Sequence, residues 1–158
     1  MGEYRLINAA MKMNEVTLRD ANLPPSVDEF SEEFAGCMAA SLVDFFSGYD
    51  QLGLALKSRD MTAFQTPLGL LRMTSVPQGA TNSVAQFVRV VNTILEYLNP
   101  NIAMPFVDDV GVKGPYDDYN GEESLPGIRR FMLEHIQNLD KVLERIERAG
   151  ASISGLKS

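Results

Sequence analysis

Three carboxylates stand out by their surroundings. Asp44 closes the apolar run from Met38 to Phe45, and Asp108-Asp109 sit between Phe106-Val107 and Val110. Carboxylates brought to one point by separate strands can hold two divalent ions about 3.5–4 Å apart and so serve phosphoryl transfer. Magnesium suits such a site, because it takes one or two protein carboxylates and fills its other positions with water and phosphate oxygens. An apolar hairpin also has little local reason to carry two like charges at its tip where Asn-Gly would turn it. A plainer reading stands beside this one: acidic pairs are common in turns, where they bond to nearby backbone. Asp117-Asp118 and Glu122-Glu123, set among Tyr, Asn and Gly, read that way.

The elements that must position these acids follow from periodicity and punctuation. Met38 to Phe45 has strand length, broken by Ser47-Gly48, and Ile102–Val107 with Val110–Lys113 reads as a hairpin tipped by Asp108-Asp109. Between them, Leu52–Lys57, Met61–Thr66 and Leu70–Val76 are expected as strands, Pro77-Gln78-Gly79 as a turn, and Ser83–Leu98 as a helix. Upstream, Ser26 after Pro24-Pro25 should cap a short helix with Val27, Phe30 and Phe34 on its apolar edge. Downstream, Pro115–Pro126 is polar enough for a loop, Ile128–Ala149 carries the strongest helical stripe, and Ala151–Ser154 is a weak last strand. Helices alternating irregularly with antiparallel-looking strands indicate an α+β fold.

Composition sets outer bounds. The 158 residues include 45% hydrophobic and 22% charged side chains, one Cys and no Trp, which excludes collagen, low-complexity disorder and a disulfide scaffold. No apolar run has membrane-span length and no secretion signal is evident, so an intracellular setting, cytoplasmic or nuclear, and no membrane partner are expected. The net charge of -7, taken alone, argues against a protein that grips nucleic acid, since phosphate binding needs clustered Lys and Arg. Five bases and 10 acids fall in residues 1–60, against 3 and 3 in 61–114 and 6 and 8 in 115–158, so the acidity sits mostly in the first third. Asp28, Glu29, Glu32 and Glu33 there fit a solvated helix face. His135 lies on an apolar helix stripe and reads as a packed histidine, and Cys37 as a small buried hydrophobe.

Six ordered blocks carry a resemblance. Ser41-Leu-Val-Asp44-Phe-Phe-Ser-Gly-Tyr49-Asp-Gln51, Met61 to Gly69, Val76-Pro77-Gln78-Gly79 and Phe106-Val-Asp108-Asp109 stand in sequence, with Glu3-Tyr-Arg-Leu-Ile-Asn8 upstream and Phe131 to Leu143 downstream. Together they resemble the reverse transcriptases of gypsy-type LTR retrotransposons, of a fungal type. The resemblance implies a polymerase palm: an antiparallel sheet backed by two main helices with a ferredoxin-like core. Residues 1–158 would form one palm domain with a partial fingers segment at 1–37, and the thumb and RNase H parts are expected to be absent.

The same resemblance implies roles. Asp44 and Asp108 would ligate two Mg2+ ions, Mn2+ being a possible substitute, with Asp109 completing the metal cluster. Phe45, Ser47, Gly48, Tyr49, Gln78 and Gly79 would bind substrate, Tyr49 as the steric gate against a ribose 2′-hydroxyl and Gln78 against the incoming nucleotide. Lys157 is implied as a general acid for the departing pyrophosphate. Partners would be an RNA or DNA template with primer, dNTPs, and the fingers, thumb and RNase H parts of a larger polyprotein. Phe106 departs from the Tyr of the wider family's YxDD, which removes a hydroxyl near the primer end and leaves both carboxylates. Two rivals remain at this stage: a catalytically silent palm serving as a structural or protein-interaction module, and a metal-dependent nuclease or small nucleotidyl transferase.

Overall fold

The computed structural model describes residues 10–22 and 24–158, so the block at 3–8 lies outside the described residues. In chain order the elements are α1 (Met11–Val16), α2 (Val27–Phe34), β1 (Ala40–Asp44), α3 (Leu56–Arg59), β2 (Phe64–Thr66), β3 (Gly69–Leu71), α4 (Ser83–Ile94), β4 (Ala103–Phe106), β5 (Asp109–Lys113), β6 (Glu123–Leu125), β7 (Ile128–Arg129) and α5 (Arg130–Arg148). The chain divides into two compact units, one built from the described part of 1–23 with 47–87, the other from 24–46 with 88–158. Residues 24–37 belong to the unit that holds β1.

The second unit is a three-stranded antiparallel sheet in the order β1-β5-β4. Its register pairs Val43 with Val110, Asp44 with Asp109, Ala103 with Val112 and Phe106 with Asp109. Side chains alternate across a strand, so Val43, Val110, Val112 and Ala103 share a face, and each is buried. α5 packs against β5 on that side, bringing His135, Val142 and Ile146 into the interior. α4 adds Val88, Val91 and Leu95 to the same unit's core. This is the α+β architecture expected, a sheet backed by two main helices. The sequence makes it so because apolar side chains recur at helical spacing in α4 and α5 and at every second position of β5.

The opposite face carries Asp44, Asp109, Gly111 and Lys113, and α2 covers its lower half. Ser26 accepts a hydrogen bond from the Glu29 amide while the Glu29 carboxylate accepts one from the Ser26 amide, the reciprocal cap that the sequence signalled. Phe34 then seats on Gly111, where an added Cβ would come within 2.2 Å of the ring. Glu33 pairs with the ammonium of Lys113, which is buried and lies 5.7 Å from the Phe34 ring centroid.

The first unit holds the β2–β3 hairpin, in which Phe64 pairs with Leu71 and Thr66 with Gly69. Val76, Ala85 and Phe87 are buried there. A single bridge joins Gly53 to Ser75.

Several expected boundaries move. Leu52–Lys57 is not a strand: after the Gly53 bridge the chain turns into the short α3, in keeping with the helix preference of Ala, Leu and Lys. Pairing in 61–66 and 70–76 contracts to three residues each. α4 ends at Ile94 rather than Leu98, because Pro100 disfavours helical geometry at the residue before it and Tyr97 already adopts a positive φ of 71°. The stretch expected as a loop over 115–126 contains β6, which returns as β7 around Pro126-Gly127. Ala151–Ser154 supplies only one bridge, Phe45 with Ile153. Cys37 is half-buried rather than buried.

Candidate active site

The acids meet through strand register. β1 and β5 run antiparallel with Asp44 opposite Asp109, and β4 places Phe106 opposite Asp109 on its other side. Phe106, Asp109 and Asp44 therefore form one row across three strands, with side chains on one face. The hairpin tip is Val107-Asp108, since Asp109 already belongs to β5. This corrects the expectation that both acids occupy the tip, and it makes Asp109 the direct partner of Asp44. Asp108 stands one residue beyond, exposed, with its carbonyl accepting the Phe45 amide at 3.0 Å.

The turn itself is strained. Val107 has φ 55°, a left-handed conformation that is an outlier for a β-branched residue and falls where glycine is preferred in two-residue hairpins. Such strain persists only where surrounding structure over-determines it, and it clusters at functional sites. Nothing local marked Val107 beforehand.

Electrostatics tie the cluster together. Burial raises the pKa of Asp109 above the usual carboxylate value, and the negative charges of Asp108 and then Asp44 raise it further, against a smaller lowering by Lys157. Lys157 Nζ lies 3.9 Å from Asp44 Oδ1. The last residues arrive there because they dock on the end of β1. Phe46 donates its amide to Ser152 O at 3.0 Å, Ser154 donates to Asp44 O at 2.8 Å, and Asp44 donates its amide to Ser158 Oγ at 3.2 Å.

The other expected substrate residues fall into two groups. Phe45 is a core residue in this fold, its side chain 4% exposed on the face opposite Asp44 and its amide donating to Asp108 O. The remainder lie in the first unit. Ser47 adopts a left-handed φ of 48° and opens a short 3-10 turn in which Gly48 is buried. The Tyr49 ring packs at 5.1 Å from that of Phe87. Gly79 has φ 89° and its carbonyl accepts from Asn14 Nδ2 at 2.9 Å, while Gln78 is half-buried beside it.

The remaining acids do what turns ask of them. Asp117 accepts the Tyr119 amide and Asp118 that of Asn120, and Glu122 pairs with Arg130 at 3.1 Å. His135 is a packed histidine, its Nε2 2.8 Å from Ser41 Oγ.

Among the described residues no three His, Cys, Asp or Glu side chains are gathered into a ready metal cage. The donor chemistry fits a hard divalent cation all the same. Asp44 and Asp109 present oxygen donors from one face, Asp108 adds a third beside them, and one lysine leaves the cluster with excess negative charge. Mg2+ or Mn2+ would be held by these three acids.

The family described as reverse transcriptase (RNA-dependent DNA polymerase) matches residues 1–158. The Pol polyprotein of Drosophila melanogaster transposon 297 is 30% identical over 108 residues, 68% of this chain and 10% of that protein. The polyprotein of the Drosophila gypsy transposon is 26% identical over 98% of this chain and 13% of its own length. An RNA-directed DNA polymerase homolog from Oenothera berteroana is 28% identical over 85% of this chain and 87% of its own length. The chain thus spans about a tenth of the transposon polyproteins it matches. In fold it resembles the foamy virus protease-reverse transcriptase in complex with double-stranded DNA, with a TM-score of 0.75 at 20% identity over 95% of this chain and 24% of that one. The native prototype foamy virus enzyme gives 0.72 at 22% identity, covering 92% of this chain and 17% of that one. With a family match running its full length, this chain belongs to the reverse transcriptases.

Proposed function

We propose that this chain is the palm, with part of the fingers, of a retrotransposon reverse transcriptase. It would serve template-directed DNA synthesis by nucleotidyl transfer at Asp44, Asp108 and Asp109. The observation that carries the reading is the register that sets Asp44 against Asp109 on one face with Asp108 adjoining. Solved foamy virus reverse transcriptases of the same fold hold double-stranded DNA or an RNA/DNA hybrid, which supports a template-primer as the partner of this one.

Bound magnesium would activate the primer 3′-hydroxyl and stabilise the charge of the departing pyrophosphate. The chain's own residues do the rest. Asp44 and Asp109 supply anionic oxygens from strands whose pairing fixes their spacing, and Asp108 supplies another from the adjoining turn. Lys157 keeps a proton at Nζ beside Asp44, poised for transfer to the pyrophosphate. In the first unit, Tyr49 would exclude a ribose 2′-hydroxyl, Gln78 would contact the incoming dNTP, and Ser47, Gly48 and Gly79 would leave room for triphosphate and template. With a net charge of -7, affinity for a template-primer must come largely from fingers, thumb and RNase H parts of a longer polyprotein, since phosphate neutralisation dominates association.

Primer extension with Mg2+ and dNTPs, comparing the native chain with Asp108→Asn, tests the reading. Extension lost in the variant supports it. The net acidity favours one rival, a catalytically silent palm kept as an interaction module. Absence of extension together with Mn2+ binding that Asp108→Asn abolishes would show an intact site awaiting the rest of the polymerase. Absence of both would establish the silent module.

A further inference from the structure

The hairpin that bears Asp108 and Asp109 reaches its tip through Phe106, the last residue of β4. At that tip Val107 is held in an unfavourable left-handed conformation. A hydrogen bond from the Phe45 amide to Asp108 O ties the tip to β1. Something must hold the strained turn in place, and the row Phe106–Asp109–Asp44 shows where. The Phe106 ring lies 5.1 Å from that of Phe30, tilted by 45°, and Phe30 lies 4.9 Å from Phe34. Phe34 occupies the space that a side chain at position 111 would fill, and Glu33 holds Lys113. α2 thus grips β5 at Gly111 and Lys113 and reaches across to β4 at Phe106. A helix of eight residues has little stability of its own, so these contacts fix its position, and its position fixes the ring against Phe106.

We infer that Phe30 is a positioning residue of the carboxylate site, holding Phe106, and through it the Val107-Asp108 turn, where Asp108 and Asp109 can face Asp44. The inference rests on the reading of the three acids as a divalent-metal site. Phe30 acts through its ring contact with Phe106. Aromatic pairs at this spacing have a preferred tilt, so the contact specifies an orientation that an aliphatic side chain of similar volume does not.

The test uses the 158-residue chain in four forms: native, Phe30→Ala, Phe30→Leu and Val142→Ala. The last is a core truncation on α5, at a fully buried position. Mn2+ affinity is read by electron paramagnetic resonance, well below each variant's melting temperature. Amide hydrogen exchange of Phe45 is read on metal-free protein. Phe30→Ala should weaken Mn2+ binding by about tenfold, the usual scale for losing a residue that supports metal ligands. It should also speed Phe45 exchange more than Val142→Ala does at equal loss of global stability. Phe30→Leu should fall between, and it decides the matter if Phe30→Ala does not fold. Native Mn2+ affinity and unaltered Phe45 exchange in the Phe30 variants would overturn the inference and leave Phe30 a packing residue. A native chain that binds no Mn2+ would instead overturn the metal reading, with Phe45 exchange still judging Phe30.

Discussion

Asp44 and Asp109 are direct cross-strand partners, and both carboxylates leave the sheet on the face opposite its buried core. Two acids in that relation repel one another, so the fold carries an electrostatic cost that a bound cation or a proton would relieve.

The first consequence is a gain of stability from losing a site residue. The pKa of Asp109 is raised by burial, by Asp108 and by Asp44. Its ionised form therefore opposes folding above that raised value, and the opposition fades as pH falls through it. Asp109→Asn should raise the melting temperature in metal-free buffer near neutral pH, and the gap from the native chain should narrow on acidification. Thermal melts across that range in a chelating buffer check both; a variant that melts lower at neutral pH contradicts the account.

Lys157 lies beside the cluster, 3.9 Å from Asp44, and it lowers the pKa of Asp109. Lys157→Met should lower stability in metal-free buffer and enlarge the rise in melting temperature produced by added Mn2+, because the ion then takes over the lost counter-charge. A Mn2+ response no larger than that of the native chain would count against this role. In primer extension the same variant should slow turnover without abolishing Mn2+ binding.

Gly111 admits no side chain while Phe34 is in place, since Cβ would lie 2.2 Å from Phe34 Cζ. Gly111→Ala should cost about 1–3 kcal/mol by overpacking. Adding Phe34→Leu should recover part of that loss, a non-additivity expected of residues in contact. Urea unfolding of the two single variants and the double variant measures the coupling. Additive losses would mean that α2 does not seat as described.

Ser41 Oγ lies 2.8 Å from His135 Nε2, while the buried Nδ1 of the same ring has no hydrogen-bond partner among the described residues. Ser41→Ala should then destabilise by about 1–2 kcal/mol, because it strips the ring of its remaining partner. Replacing both residues, as Ser41→Ala with His135→Leu, should cost less than Ser41→Ala alone, since no buried polar group is left unsatisfied. Denaturant midpoints of the three variants decide between these outcomes.

Much of this architecture is written locally. The capping box at Ser26 and Glu29, the apolar stripe of α5 and the flanking of Asp108-Asp109 by Phe106-Val107 and Val110 all act over a few residues, so they are legible before any folding. Six ordered motif blocks carried the family. Short-range signals misled where punctuation looked like a strand boundary: Leu52–Lys57 has strand length, yet it bridges at Gly53 and then turns into α3. The polar 115–126 stretch pairs because Arg130 and the turn at Pro126-Gly127 give it something to fold against.

By itself the sequence determined which residues are available for chemistry: three acids, a late lysine, and the helices and strands that carry them. Only the tertiary structure decided that Asp109 rather than Asp108 faces Asp44, that the turn strains Val107, that Phe45 is core, and that α2 lies against the hairpin. Register is the physical reason. A slip of one residue between β1 and β5 would send every side chain to the other face. What prevents it is the simultaneous burial of Val43, Val110 and Val112 on one side and the seat of Phe34 on Gly111 on the other, contacts between segments far apart in the chain.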